Sequence, residues 1–189
     1  LSWIGVGGDA EYDQGGALTV RAGSTNGLGR IYGSQVSIGG RLELVRNSWV
    51  YPHSVNSHGA ASLFKAATIS ISTNSGFNAG GTGYIWVEGP GGTPPPNQWT
   101  GWGANHGGRG GGNTNRLYDS ESFPLICGSG GGRIGSGGSG GGAFIIEAGG
   151  DIQMNGRLIA NGNMAYNSWG AGSGGSIWVL CGGRFSGPT

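Results

Sequence analysis

Apolar residues in this chain recur at every second position over short runs, and glycine borders almost every run. Alternation with a period of two marks a β-strand with one face on a core, and no apolar period of 3.6 extends over a useful length. The pattern therefore predicts an all-β protein. Its clearest stretch is residues 137–187, which hold three alternating runs; the motif Gly-Gly-x-apolar-x-apolar at 141–146 returns at 174–179, 33 residues later. A recurrence of that length is too short for a second domain and predicts stacked coils of chain. The expected architecture is a glycine-rich parallel β-solenoid, or β-helix, forming a single domain over residues 1–189 with irregular loop excursions.

Further alternating runs lie at 15–22, with Leu18 and Val20 on one face, at 35–46, broken by Gly39-Gly40, at 67–73, with Ile69 and Ile71 inward, and at 83–88. A Gly-Gly break lets an extended path turn a corner without a Cβ in the way. The stretches 47–65 and 90–136 read as excursions, the second carrying Pro94-Pro95-Pro96. Aligning the best repeats gives two inward columns, Leu18, Ile85, Phe144, Ile177 and Val20, Val87, Ile146, Val179. It also puts Trp86, Ile145 and Trp178 in one outward column beside Thr19. Large apolar residues ranked on an outer face need a cover. That cover is either the excursion around Trp99 and Trp102 or a neighbouring copy, so Trp86, Ile145 and Trp178 are the expected packing or self-association surface.

Composition narrows the class. Glycine supplies 47 of 189 residues without a strict Gly-X-Y period, which excludes collagen. A hydrophobic fraction of 35 % in ordered runs argues against disorder. Net charge is +1 with 10 % charged residues, which offers no basic field for nucleic acid. Nine of the ten basic residues are arginines, Lys65 being the one lysine. There is no apolar run of membrane-spanning length. The start at Leu1, without a recognisable leader, reads as a mature or excised piece of a longer product. Cys127 and Cys181 are either one disulfide of an oxidising compartment or two buried small hydrophobes.

Asp9, Glu11 and Asp13 share a face only in an extended segment, where they would suit a hard cation; a solvated turn is the better reading. His53 and His58 lack companion ligands and read as loop histidines. The matches to G-x-G-x-x-G at 130–135 and G-x-S-x-G at 137–141 are those a glycine tract gives by chance, and neither is followed by the helix its chemistry needs. No metal or cofactor is expected. Asp119 and Glu121 are the one close acidic pair of the long insertion, with Arg109, Arg116 and His106 as partners for a polysaccharide-cleaving site. Trp99, Trp102, His106 and Tyr118 are the candidates for a glycan platform, or else a roof over the coil.

The motif order HGGRGG at 106–111, Tyr118, Pro124 and GSGGG up to Gly132, then GGGAFIIEAGGDIQMNGRLIANG and GSGGSIWVLCGGRFSG, resembles a glycine-rich repeat of large secreted and cell-surface proteins. The resemblance covers roughly 80–187; residues 1–80 lack the HGGRGG segment. It implies a parallel β-solenoid in an extracellular structural or adhesin-like protein, and it carries no catalytic residues. The expected function is thus a secreted or cell-surface structural protein that associates with copies of itself into a fibre, sheath or adhesive layer. A polysaccharide-binding module is the alternative, and a polysaccharide-active enzyme the lesser one.

Overall fold

The computed structural model describes residues 2–6, 10–12, 17–21, 32–45, 47–54, 58–92, 101–166 and 169–188, with side chains described from residue 35 onward. Among them every regular element is a strand: β1 (Ser2–Val6), β2 (Ala10–Tyr12), β3 (Ala17–Arg21), β4 (Tyr32–Ile38), β5 (Arg41–Leu44), β6 (Trp49–His53), β7 (Ala61–Ala66), β8 (Thr68–Ile71), β9 (Gly76–Asn78), β10 (Ala143–Ala148), β11 (Ile152–Met154), β12 (Arg157–Ile159), β13 (Ser176–Cys181) and β14 (Phe185–Ser186). They form three sheets, ordered β1-β4-β7-β10-β13, β14-β11-β8-β5-β2 and β12-β9-β6-β3. All strand pairs are parallel, and each sheet takes every third strand.

One apolar cluster collects side chains from all three sheets. Val36, Ile38, Phe64, Ala66, Phe144 and Ile146 come from the first, Leu42, Leu44, Ile69, Ile71 and Ile152 from the second, and Val50 and Phe77 from the third. The sheets therefore face one another, and parallel register stacks like on like: Val36 beside Phe64, Phe64 beside Ile146, Ile146 beside Val179. Phe77 sits between Phe64 and Phe144, 4.9 Å and 5.6 Å from their ring centres.

The first sheet is buried on its other face as well. Ala61, Leu63, Ala143 and Ile145 lie under Tyr84 and Cys127, with Leu125, Ile126, Trp178 and Leu180 at the margin. This explains why β10 is apolar at consecutive positions while β8 alternates, since burial on both faces removes the polar half of the pattern.

A second region is built without strands. Segments 128–131, 138–141 and 170–173 run side by side, joined through their backbones. Gly128 N–H donates to Gly141 O (2.8 Å) and Gly131 N–H to Gly138 O (2.8 Å). Gly138 N–H donates to Gly170 O (3.0 Å), Gly141 N–H to Ser173 O (2.9 Å), and Ser173 N–H to Ser129 O (3.0 Å), so each segment bonds to both others. Bonds to one neighbour recur every third residue, the spacing of an extended helix with three residues per turn, whose amides all point sideways. Such a path satisfies its backbone only if neighbours come close. At Gly140 a Cβ would run into the carbonyl of Gly128, and at Gly172 into that of Ser139.

Several sequence expectations need correction. Residues 47–65 are no excursion, because β6 and most of β7 lie there; Pro52 sits within β6 and disguises it. Residues 83–88 form turns, with Glu88 N–H bonded to Ile85 O and Val87 at φ 57°, because their amides serve the glycine segments instead of a sheet. Ile85, Trp86 and Val87 thus leave the proposed columns. Leu18 and Val20 belong to the third sheet, opposite Val50 and Pro52. What remains is Phe144 with Ile177, Ile146 with Val179, and Ile145 with Trp178.

Candidate functional site

The insertion after β9 crosses the outer face of the first sheet and is fixed there at one carboxylate. Asp119, at φ 69° in a conformation aspartate tolerates, accepts from the amides of Ser120 (2.9 Å) and Leu125 (3.1 Å) on Oδ1. Its Oδ2 accepts from Ile126 N–H (3.0 Å) and Ser176 Oγ–H (2.8 Å), with His106 Nε2 at 3.2 Å. Burial works to raise the carboxyl's pKa, but the amides of Ile126 and Leu125 and the Ser176 hydroxyl outweigh it and hold it below the ordinary carboxylate range.

His106 connects the same loop to the strand side. Its Nδ1 lies 2.8 Å from Gly174 O, a pure acceptor, so that nitrogen donates. Both ring nitrogens face acceptors, Gly174 O on one side and the Asp119 carboxylate on the other. The ring lies tilted against Tyr118, 4.6 Å between centres, and the Tyr118 hydroxyl donates to Cys127 O (2.7 Å) while accepting from Ser129 Oγ–H (2.8 Å). Burial raises the Tyr118 phenol and pushes Tyr84 up to about 12. Beside this junction lies a cleft of about 450 Å³, whose lining includes Leu117, Pro124 and Ile177 as well as His106, Ser120 and Glu121.

A serine, a histidine and an aspartate meet here, but not as an acyl-transfer triad. The one proton of the Ser176 hydroxyl is shared between two acceptors, Asp119 Oδ2 and Ile126 O (2.7 Å), and is not directed to the imidazole that would have to take it. Asp119 spends its lone pairs on donors, the opposite of what a proton shuttle requires. Glu121, Arg109 and Arg116 are exposed, and Glu121 lines the cleft. The chemistry of the junction is that of a clamp.

The glycan candidates divide. His106 and Tyr118 come together; Trp102 packs its ring on Gly112 and gives its carbonyl to Gly132 N–H (2.8 Å), while Trp99 lies outside the described residues. Of the outward column, Ile145 is covered by the insertion and Trp178 meets Phe123 edge to face at 5.3 Å. The cover is thus the chain itself, through Tyr84 and 125–127. Cys127 and Cys181 are free thiols, not a disulfide; Cys127 sits under the cover, where burial pushes its thiol up to about 12, and Cys181 packs on the main core. Asp9 and Asp13 lie outside the described residues, and among those described no three His, Cys, Asp or Glu side chains are placed to hold a metal. No described helix is long and apolar enough to cross a membrane.

Sequence reasoning missed Gly174 and Ser176 as clamp partners and the amides that shape the HGGRGG loop. Asn105 accepts from Gly110 N–H (2.7 Å), and Asn113 donates to Gly91 O and Gly103 O (both 3.0 Å). Asparagines bracketing a glycine loop were the available signal, since their side chains can replace backbone partners. No family model matches the chain, and no curated protein or solved structure gives a significant match.

Proposed function

We propose that this chain is a non-enzymatic structural module: a glycine-rich parallel β-solenoid of a secreted or cell-surface protein, whose copies associate into a fibre, sheath or adhesive layer. The observation that carries the reading is the strand order, every third strand in each of three parallel sheets around one apolar cluster. A path that winds once per three strands accounts for that order. The hydrogen-bonded clamp at Asp119 and the internally bonded glycine bundle fit a structural part better than a site that must release product.

Association is supported by β13. Phe144 and Ile146 in β10 are 0 % exposed, whereas their register partners Ile177 and Val179 are only partly buried. A further parallel strand along that edge would bury them as β13 buries β10. In this reading a second copy provides it. The test is sedimentation across a concentration series with electron microscopy of the products. Growth into filaments, with fibre diffraction at about 4.7–4.9 Å along the axis, is expected. A single 19.0 kDa species at every concentration would overturn the self-association.

A further inference from the structure

We propose that the partner at the β13 edge is the opposite end of an identical chain: copies join head to tail, β1 and β2 of one adding in parallel to β13 and β14 of the next. This inference rests on the association proposed above and gives it a polarity. β1 and β13 are the two edges of one sheet, and β2 and β14 the two edges of another. Every pair in both sheets is parallel, so β1 of a second copy can follow β13 with strand direction and register unchanged. Two β13 edges meeting by symmetry would be antiparallel, unlike any pair in the molecule.

Carried one strand further, the register matches the two ends. Ile4, Val36, Phe64, Ile146 and Val179 form one column, so the residue to follow Val179 is Ile4 of the next copy. By the same count Trp178 ends the column that Trp3 begins. In the second sheet Phe185 ends the column that Ala10 begins, which brings a small residue over a large one. Phe185 is 54 % exposed, whereas its register partner Ile152 is 0 % exposed: the bare ring stands where the next coil belongs. The third sheet stops one strand earlier, at β12, so the joint is made by the other two. Charge supports the same polarity. Glu11 lies in β2 with Asp9 and Asp13 beside it in sequence, while Arg184 immediately precedes β14. Asp151, whose Oδ1 accepts from the Arg184 amide (2.8 Å), is engaged within its own chain. Glu121 stands at the first sheet, in the cleft beside Ile177, where the incoming β1, Ser-Trp-Ile-Gly-Val, carries no charge to oppose it.

The test is disulfide capture in the 189-residue chain, with sedimentation of the same samples. Val6 and Cys181 stand two places beyond Ile4 and Val179 on their strands, so Val6→Cys sets two cysteines opposite each other across the joint. Neighbouring strands are about 4.8 Å apart, within reach of a disulfide. The two edges of one five-stranded sheet are about 19 Å apart, so such a bond must join two chains. Cys127 is 0 % exposed and does not compete. Under mild oxidation with copper phenanthroline, Val6→Cys should give a ladder of dimers, trimers and longer species on non-reducing gels, and the unaltered chain none. Adding Cys181→Ser should abolish the ladder. Ile4→Cys with Val179→Cys in the Cys181→Ser background, which moves the bond to the neighbouring column, should restore it. Assemblies that sediment normally but give no ladder in either cysteine variant, or a product that stops at the dimer, would overturn the head-to-tail joint and leave the association standing. Chains that stay monomeric without oxidation and give no ladder with it would overturn both.

Discussion

The sheet core and the glycine bundle solve one problem in opposite ways. In the core a residue contributes by filling space: Phe77 lies between two other phenylalanines with no surface exposed. In the bundle it contributes by leaving space empty, since Gly140 and Gly172 let carbonyls of neighbouring segments approach where any side chain would intervene. Burial of apolar area holds the first, paired amides hold the second. The same substitution logic should therefore reverse between them.

The strongest break of that contrast is on the core side. Phe77→Ala should cost about 3–5 kcal/mol, read as a lower midpoint in chemical denaturation, because the neighbouring rings cannot close the gap. Next comes the clamp that seats the insertion on the first sheet. Asp119→Asn should cost about 1.5–3 kcal/mol, the scale of hydrogen bonds to a charged group. The Asp119 pKa is lower folded than unfolded, so its contribution is present above the ordinary carboxyl value and is lost as pH falls through the folded one. A pH series of denaturation midpoints should show that acid limb in the unaltered chain and flatten it in Asp119→Asn.

On the bundle side the sign turns, and adding a methyl group does the damage. Gly140→Ala should cost about 1–3 kcal/mol by forcing segments apart. Gly108→Ala, where a Cβ would meet nothing within 4 Å, should stay within about 0.5 kcal/mol. Equal effects at the two glycines would sink the close-packing account. The smallest effect belongs to the pair on the sheet surface, Lys65 with Glu147 at 2.6 Å, whose exposure limits Lys65→Met to less than about 1 kcal/mol.

Legibility in the sequence follows the same division. Where one sheet face meets the core, alternation reported it faithfully: Ile69 and Ile71 point inward, Gly39-Gly40 turns the corner between β4 and β5, and the repeat at 141–146 and 174–179 is a true register pair. Alternation does not say which of three sheets a strand joins, which is why Leu18 was aligned with Phe144 but lies opposite Val50. Nor does it separate a strand from a turn whose amides are engaged elsewhere, the case of 83–88. The outer face of β10 and β13 was readable because Ile145 and Trp178 are too large to leave bare. Of the clamp, the sequence offered His106 as a partner for Asp119, 13 residues away, but not Ser176, which is 57 residues from Asp119 and ordinary in type.

The insertion has a consequence for the time course of folding. Most register partners in the first sheet are about thirty residues apart, but Lys65 and Glu147 are separated by 82. Loop-closure entropy grows slowly, so that longer span costs only about 0.8 kcal/mol more than a 33-residue one at equilibrium. Kinetically the junction is harder, because β10 has to find β7 before the intervening chain can settle on the surface they create. The two local sets, β1-β4-β7 and β10-β13, should then form ahead of their union, with the joining of β7 to β10 setting the pace.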